Sequence, residues 1–157
     1  MSVRVRYLAK GARAAAVRAL LRREWGARPP WARWVLAGYL IGFTDGFAAH
    51  VLALASGGIH AYSSFPQVSL QVFFVSLVVL DPLVVVLVAF VRRAGIGLAG
   101  AVMAADVAAN LTGNWSRIQR DPAGSLLPAN SLAILLFGLF VLVTVVPLLR
   151  VAQRSAS

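Results

Sequence analysis

The sequence predicts an all-α integral membrane protein: four transmembrane helices in an antiparallel bundle, preceded by a basic cytoplasmic segment. Three observations lead to this prediction. Of the 157 residues, 60% are hydrophobic and 13% are charged, whereas an average soluble domain is about 45–50% apolar and about 25% charged. Four apolar stretches each approach the ~20 residues that a helix needs to cross a bilayer. Finally, most of the arginines lie outside these stretches, on one predicted side of the membrane.

The first 30 residues are basic and alanine-rich, and we predict a helix across about residues 11–26. The chain has a net charge of +10, and nine of its fifteen cationic residues lie within residues 1–33, where only Glu24 opposes them. Arginines interrupt every apolar run of this segment, which disfavours a secretory signal peptide. Pro29 and Pro30 should end the helix, because proline cannot continue one.

Residues 31–152 form the predicted membrane domain, and residues 153–157 a short cytoplasmic tail. The predicted spans are residues 34–56, 68–91, 95–113 and 131–149. Gly57 and Gly58 break the chain after the first span, and Arg92 and Arg93 follow the second. The third span is rich in glycine and alanine, and the fourth contains no charged residue. A soluble bundle is disfavoured because four such stretches leave almost no polar face.

The distribution of arginine predicts that both termini are cytoplasmic. With the N-terminus inside, thirteen of the fifteen cationic residues fall in cytoplasmic segments, and only Arg117 and Arg120 fall outside. This asymmetry follows the positive-inside rule. Fourteen of the fifteen cations are arginine, which is a compositional association with GC-rich bacterial genomes. The predicted location is therefore the bacterial cytoplasmic membrane.

Three of the five acidic residues, Asp45, Asp81 and Asp106, lie near the centres of predicted spans. A carboxylate at the centre of a membrane helix costs about 2.5–3.5 kcal/mol on insertion scales. No lysine or arginine lies within a span, so a simple ion pair cannot neutralise them. These carboxyls are therefore protonated, hold a cation, or line a wet cavity, and we predict that they meet near the membrane midplane.

Other polar residues concentrate between these aspartates and the outer face, which predicts a pocket that opens outward. His50 follows Asp45 on the first helix, and a spacing of four residues aligns Asp106, Asn110 and Asn114 along the third. The candidate catalytic residues are Asp45, His50, Asp81 and Asp106. The candidate ligand-binding residues are Asn110, Asn114, Gln71, His60 and Tyr62. The structural alternative is that these side chains only join helices by hydrogen bonds, or that Asp81 only stabilises a kink at Pro82.

Small residues on the first helix predict close packing. Gly38, Gly42 and Gly46 form a row with a spacing of four, which allows two backbones to approach closely. Within one chain the row would pack the first helix against the third. Between two chains the same row would form a homodimer.

Two features are similar to the EXPERA family of four-span sterol isomerases and sterol-binding proteins. These are the stretch of residues 74–90, with its central acid and proline, and the short loop that ends at Pro66. The resemblance implies a lipid-like ligand; the family's acidic and aromatic pattern is not matched residue by residue, so no catalytic residue is carried over. Aspartate and histidine side chains can perform proton transfer on such a molecule. We therefore expect binding of, or action on, a small lipophilic molecule.

Two other functions remain open from the sequence. Acids at the midplane are typical of proton- and cation-coupled sites, so the chain could be a transporter or channel subunit that acts as an oligomer. It could equally be a non-catalytic subunit or scaffold, whose basic segment binds membrane lipids or an acidic partner.

Several chemistries are excluded or left unassigned. The absence of cysteine excludes disulfides, thiolate metal ligands and cysteine nucleophiles. Three carboxylates and His50 would suit a divalent metal, but no ligand spacing supports one, so no metal ligand is assigned. No cofactor is assigned either. The basic segment lacks interleaved aromatic residues, so we expect no nucleic-acid binding.

Overall fold

The computed structural model describes residues 3–122, 124 and 129–154, and every regular element among them is helical. The helices are α1 (Val3–Gly26), α2 (Pro30–Gly57), α3 (Val68–Ala89), α4 (Arg93–Gly113), α5 (Trp115–Arg120) and α6 (Ala129–Arg154). Four of them, α2, α3, α4 and α6, are long and apolar enough to cross a membrane. The prediction of an all-helical protein with four membrane-spanning helices is confirmed to this extent.

The helix limits follow the local signals, with some extension. Pro30 begins α2 at a first-turn position, where its missing N–H costs nothing. The helix of the basic segment begins at Val3, earlier than predicted, and ends at Gly26. The fourth membrane helix continues through Pro147 to Arg154, beyond the predicted end at residue 149. Of the predicted tail, residues 155–157 lie outside the described part of the chain.

The membrane helices pack mainly on their neighbours in sequence: α2 on α3, α3 on α4, and α4 on α6, with a lighter contact between α2 and α6. The glycine row of α2 faces α6 and α3. A Cβ at Gly38 would lie 3.0 Å from the ring of Phe140, and a Cβ at Gly42 would overlap the ring of Phe137. Within one copy, the neighbours of the row therefore lie on α6 and α3, and the predicted packing of the first membrane helix against the third through this row is wrong.

One half of the bundle is a tightly packed apolar core. Its most buried side chains are Leu36, Tyr39, Val84, Val88, Ile96, Ala99, Val141 and Leu148. The hydroxyl of Tyr39 donates to the carbonyl oxygen of Val141 at 2.9 Å and lies 3.0 Å from the hydroxyl of Thr144. The Thr144 hydroxyl also donates to the Phe140 carbonyl at 2.6 Å. We call this apolar half, in which both hydroxyl groups are hydrogen-bonded, the packed floor.

Candidate functional site

A cavity of about 550 Å³ lies between α2, α3, α4 and α6 and is bordered by the connection after α2. We call it the acidic cavity. Its polar lining consists of Asp45, His50, Tyr62, Asp81, Asp106 and Asn110. The other lining residues are glycine or apolar, among them Phe43, Phe74, Leu77, Met103 and Phe137, and no lysine or arginine is included. Three carboxyl groups from three different helices thus border one mostly apolar space.

Asp81 is the most buried of the three acids, with 4% of its surface exposed. It lies on α3 immediately before Pro82, and its carboxylate rests against the backbone of α2 at Gly46. A Cβ at Gly46 would lie 3.1 Å from Asp81 Oδ2, so only glycine leaves this approach open without a shift. The Asp81 side chain makes no hydrogen bond to the described residues. Its carboxylate is therefore available to the cavity.

Asp106 belongs to a chain of hydrogen bonds along α4. The side-chain amide of Asn110 donates to Asp106 Oδ1 at 3.1 Å and to the Asp106 carbonyl oxygen at 3.0 Å. One turn further, the amide of Asn114 donates to the carbonyl oxygen of Asn110 at 2.9 Å. Asp106 and Asn110 line the cavity, and Asn114 does not. The polar row on α4 thus contributes two of its three members to the site.

Asp45 differs from the other two acids because it is exposed. It lines the cavity together with Ile41 and Ala49, which lie one turn before and after it on α2. Ile41 is 71% exposed, and Ala49 is exposed as well. These three residues form an open rim, whereas Asp81 lies on the inner wall. The three carboxyls are therefore in three different environments.

His50 and Tyr62 join α2 to the connection that follows it. His50 Nδ1 and the Tyr62 hydroxyl oxygen are 2.6 Å apart. Burial raises the pKa of the Tyr62 phenol, and the carboxylates of Asp106 and Asp81 raise it further. The phenol is therefore protonated at neutral pH, and it donates to His50 Nδ1 in the tautomer that carries its proton on Nε2 and accepts from Nδ1–H in the other.

Aromatic rings cover the end of the cavity opposite the packed floor. The rings of Tyr62 and Phe65 both stack on Phe74, with centroid distances of 5.3 Å and 4.8 Å. Phe65 also packs against Gly113 at the end of α4, where a Cβ would overlap its ring. Gln71 donates to the carbonyl oxygen of Phe65 at 2.7 Å. The connection is thus folded back onto α3 and α4.

The structure brings together six of the nine candidate residues and leaves three apart. Gln71 is turned toward the backbone of the connection, Asn114 toward the backbone of α4, and His60 is exposed in a short 3₁₀ turn. Sequence reasoning missed the aromatic walls, because phenylalanine is unremarkable in an apolar span. It also missed that the Asp81 carboxylate packs against Gly46, although the glycine spacing predicted close packing at that position.

A shared metal site has no support in the geometry. Within residues 3–122, 124 and 129–154, no three histidine or acidic side chains are grouped closely enough to hold a metal ion. The three carboxyls line the cavity from three different helices and do not converge on one metal position.

Comparisons with protein-family models, with curated proteins and with solved structures give no match for this chain. The similarity to the EXPERA family therefore gains no support from them.

Proposed function

We propose that this protein binds a small lipid-like molecule in the acidic cavity. The observation that carries the proposal is the composition of the lining: three carboxyls, an imidazole, a phenol and an amide border about 550 Å³ of otherwise apolar space. Small-molecule sites typically enclose about 300–1,000 Å³ and combine apolar walls with a few converging polar groups. An amphipathic molecule matches both parts of this lining.

The polar group of the ligand would meet the carboxyls. Since the lining contains no lysine or arginine, the complementary group is a hydrogen-bond donor or a cation, while the apolar body packs on Phe74, Met103 and Phe137. Burying unpaired carboxyls is costly, and a bound donor group would offset part of this cost at Asp81. The chemistry that such a lining can supply is proton transfer, with Asp81 or the His50–Tyr62 pair as the acid or base.

A transporter or channel is the second candidate, because midplane acids are typical of coupled ion sites. The packing favours a binding site. Between the cavity and the end that carries the termini, the described interior is apolar apart from the Tyr39–Thr144 pair and, at that end itself, the buried Arg28. Such a core offers no polar path for an ion. A change in the stability of the purified protein with Na⁺, divalent cations or pH would support the transport function. No change under these conditions would oppose it.

We further propose that the four helices form an antiparallel bundle with both termini in the cytoplasm, in a bacterial cytoplasmic membrane. The excess of arginine at one end of the bundle supports this orientation. A thiol-labelling assay can test it, since the chain has no cysteine of its own: a single cysteine at Ser2 should be protected from an impermeant reagent in intact cells, and one at Ser116 should react.

The binding proposal is tested with two variants of adjacent residues. Ala49→Phe places a ring in the cavity, whereas Ala48→Phe places the same ring on a neighbouring exposed position outside the lining. Lipids that remain bound after purification are extracted and compared with bulk membrane lipid by mass spectrometry. We expect one enriched species in the wild type and in Ala48→Phe, and its loss in Ala49→Phe.

The same measurement on acid variants assigns the polar contact. Asp81→Asn should weaken retention of the enriched species, and Asp121→Asn, at an exposed acid outside the cavity lining, should not. Identical lipid profiles in the wild type, Ala49→Phe and Asp81→Asn would refute a ligand in this cavity.

A further inference from the structure

The C-terminal end of the N-terminal helix is attached to the membrane helices. The Trp25 indole N–H donates to the carbonyl oxygen of Ala89, the last residue of α3, at 2.8 Å. Arg28 is 7% exposed, donates to the Val151 carbonyl oxygen at 3.2 Å, and contacts Glu24 at 3.5 Å. These bonds fix the end of α1 to the ends of α3 and α6. Before Leu21, the residues of α1 whose burial is described are all exposed.

This attachment gathers the exposed cations of several elements at one end of the bundle. The exposed arginines of α1 and of the helix ends beside its attachment are Arg13, Arg18, Arg22, Arg23, Arg33, Arg92, Arg93 and Arg150. The acid that accompanies them, Glu24, is engaged with Arg28. Across the described ranges no other salt bridge is formed, so none of these exposed arginines is paired with an acidic side chain of the described residues. We call these eight residues the basic collar.

The position of the basic collar identifies its partner. Arg33, Arg92, Arg93 and Arg150 lie at the ends of helices that can cross a membrane, where phospholipid headgroups are found. Trp31 and Trp34, 43% and 78% exposed, lie at the same level, and indoles prefer this interface. Only three residues separate α1 from α2, so α1 begins its course at the headgroups.

We propose that the basic collar binds anionic phospholipid headgroups and that α1 is held against the membrane surface by this charge. Arginines surround α1 on several sides, which favours attraction to a charged surface over insertion of an apolar face. Each cationic side chain near an anionic surface strengthens such attraction roughly fivefold. The attraction is screened when the Debye length falls from about 10 Å at 0.1 M salt to about 3 Å at 1 M.

The test uses the full chain in lipid nanodiscs, with a single cysteine at the exposed position Ala15 that carries a fluorescent dye. Iodide quenching of the dye is unsuitable alone, because an anionic surface repels iodide; neutral acrylamide is used as the quencher. Discs of phosphatidylcholine are compared with discs in which one third of the lipid is phosphatidylglycerol, at about 0.1 M and about 1 M NaCl.

We expect quenching to fall by roughly half in the anionic discs at low salt, and to recover at high salt. A variant with glutamine at Arg13, Arg18, Arg22 and Arg23 should lose this protection. A control variant with glutamine at Arg117 and Arg120, which lie beyond the other end of α4, should keep the protection.

Three outcomes would overturn the proposal. Equal quenching in both lipids would show that α1 does not recognise anionic headgroups, as expected if its partner were an acidic protein. Protection that persists at high salt or in the four-glutamine variant would show apolar insertion instead of charge attraction. Loss of protection in the Arg117 and Arg120 variant would show that the whole net charge matters, and not the basic collar.

Discussion

Three glycine-to-alanine substitutions separate the effect of packing on stability at two positions of α2 from the effect of helix propensity. An added Cβ at Gly97 on α4 meets nothing within 4 Å, at Gly46 it lies 3.1 Å from the Asp81 carboxylate, and at Gly42 it overlaps the Phe137 ring. All three positions are inside helices, so the gain from replacing glycine, about 0.5–1 kcal/mol, is common to them. Differences between the variants therefore report what the methyl group meets.

The expected order follows from these contacts. Gly97→Ala should stabilise the protein by up to about 1 kcal/mol. Overpacking in a well-packed interior costs about 1–3 kcal/mol, so Gly42→Ala should be less stable than Gly97→Ala by about that amount. The stability of Gly46→Ala should be close to that of the wild type, because the Asp81 carboxylate needs to shift by only a few tenths of an ångström.

Thermal unfolding in a mild detergent measures these differences, since about 1 kcal/mol corresponds to roughly 2–4 °C in Tm for a domain of this size. Lipid retention by Gly46→Ala provides a second readout: it should fall although stability is kept, because the methyl displaces Asp81. Equal melting temperatures for Gly42→Ala and Gly97→Ala would refute the contact between α2 and Phe137. Unchanged lipid retention in Gly46→Ala would refute the role given to Gly46.

Three further substitutions test single groups. Asp81→Asn should leave the free energy of unfolding unchanged or raise it by about 1 kcal/mol, because it removes a desolvated carboxyl. A marked fall in Tm would contradict the observation that the Asp81 carboxylate makes no hydrogen bond to the described residues. Tyr62→Phe keeps the ring stacked on Phe74 and removes the bond to His50, so unfolding free energy should fall by about 0.5–1.5 kcal/mol, and the imidazole NMR signals of His50 should shift. Tyr39→Phe should cost a similar amount, measured by denaturant titration, with normal lipid retention; reduced retention would show that the floor and the cavity are coupled.

The four membrane helices were predictable because each depends on local composition. Any run of about 20 apolar residues must bury its backbone polar groups in a helix to cross a bilayer, so neighbours in space add little to the prediction. The ends were less predictable. Arg154 ends α6 several residues beyond the predicted span, since a helix can continue past the hydrocarbon into the headgroup region.

The site was predictable only in part. Asp45, Asp81 and Asp106 stood out because a carboxyl within an apolar span is rare and costly, and the structure places all three on one cavity. Gln71 lies in a predicted span and Asn114 directly follows one, but their amides donate to nearby backbone carbonyls. Composition does not distinguish a polar side chain that lines the cavity from one that bonds to a nearby backbone carbonyl, because the direction of the side chain depends on which hydrogen-bond partners lie close to it.

The sequence by itself determined that this chain forms four apolar helices, that three of its five acids are central to them, and that most of its positive charge lies in the first 33 residues. The tertiary structure decided which helix meets the glycine row, and that Asp81 is buried while Asp45 is exposed. The reason is the range of the interactions. Hydrophobicity and charge act on each segment separately, whereas burial, cavities and close approach depend on how helices distant in sequence are rotated against each other.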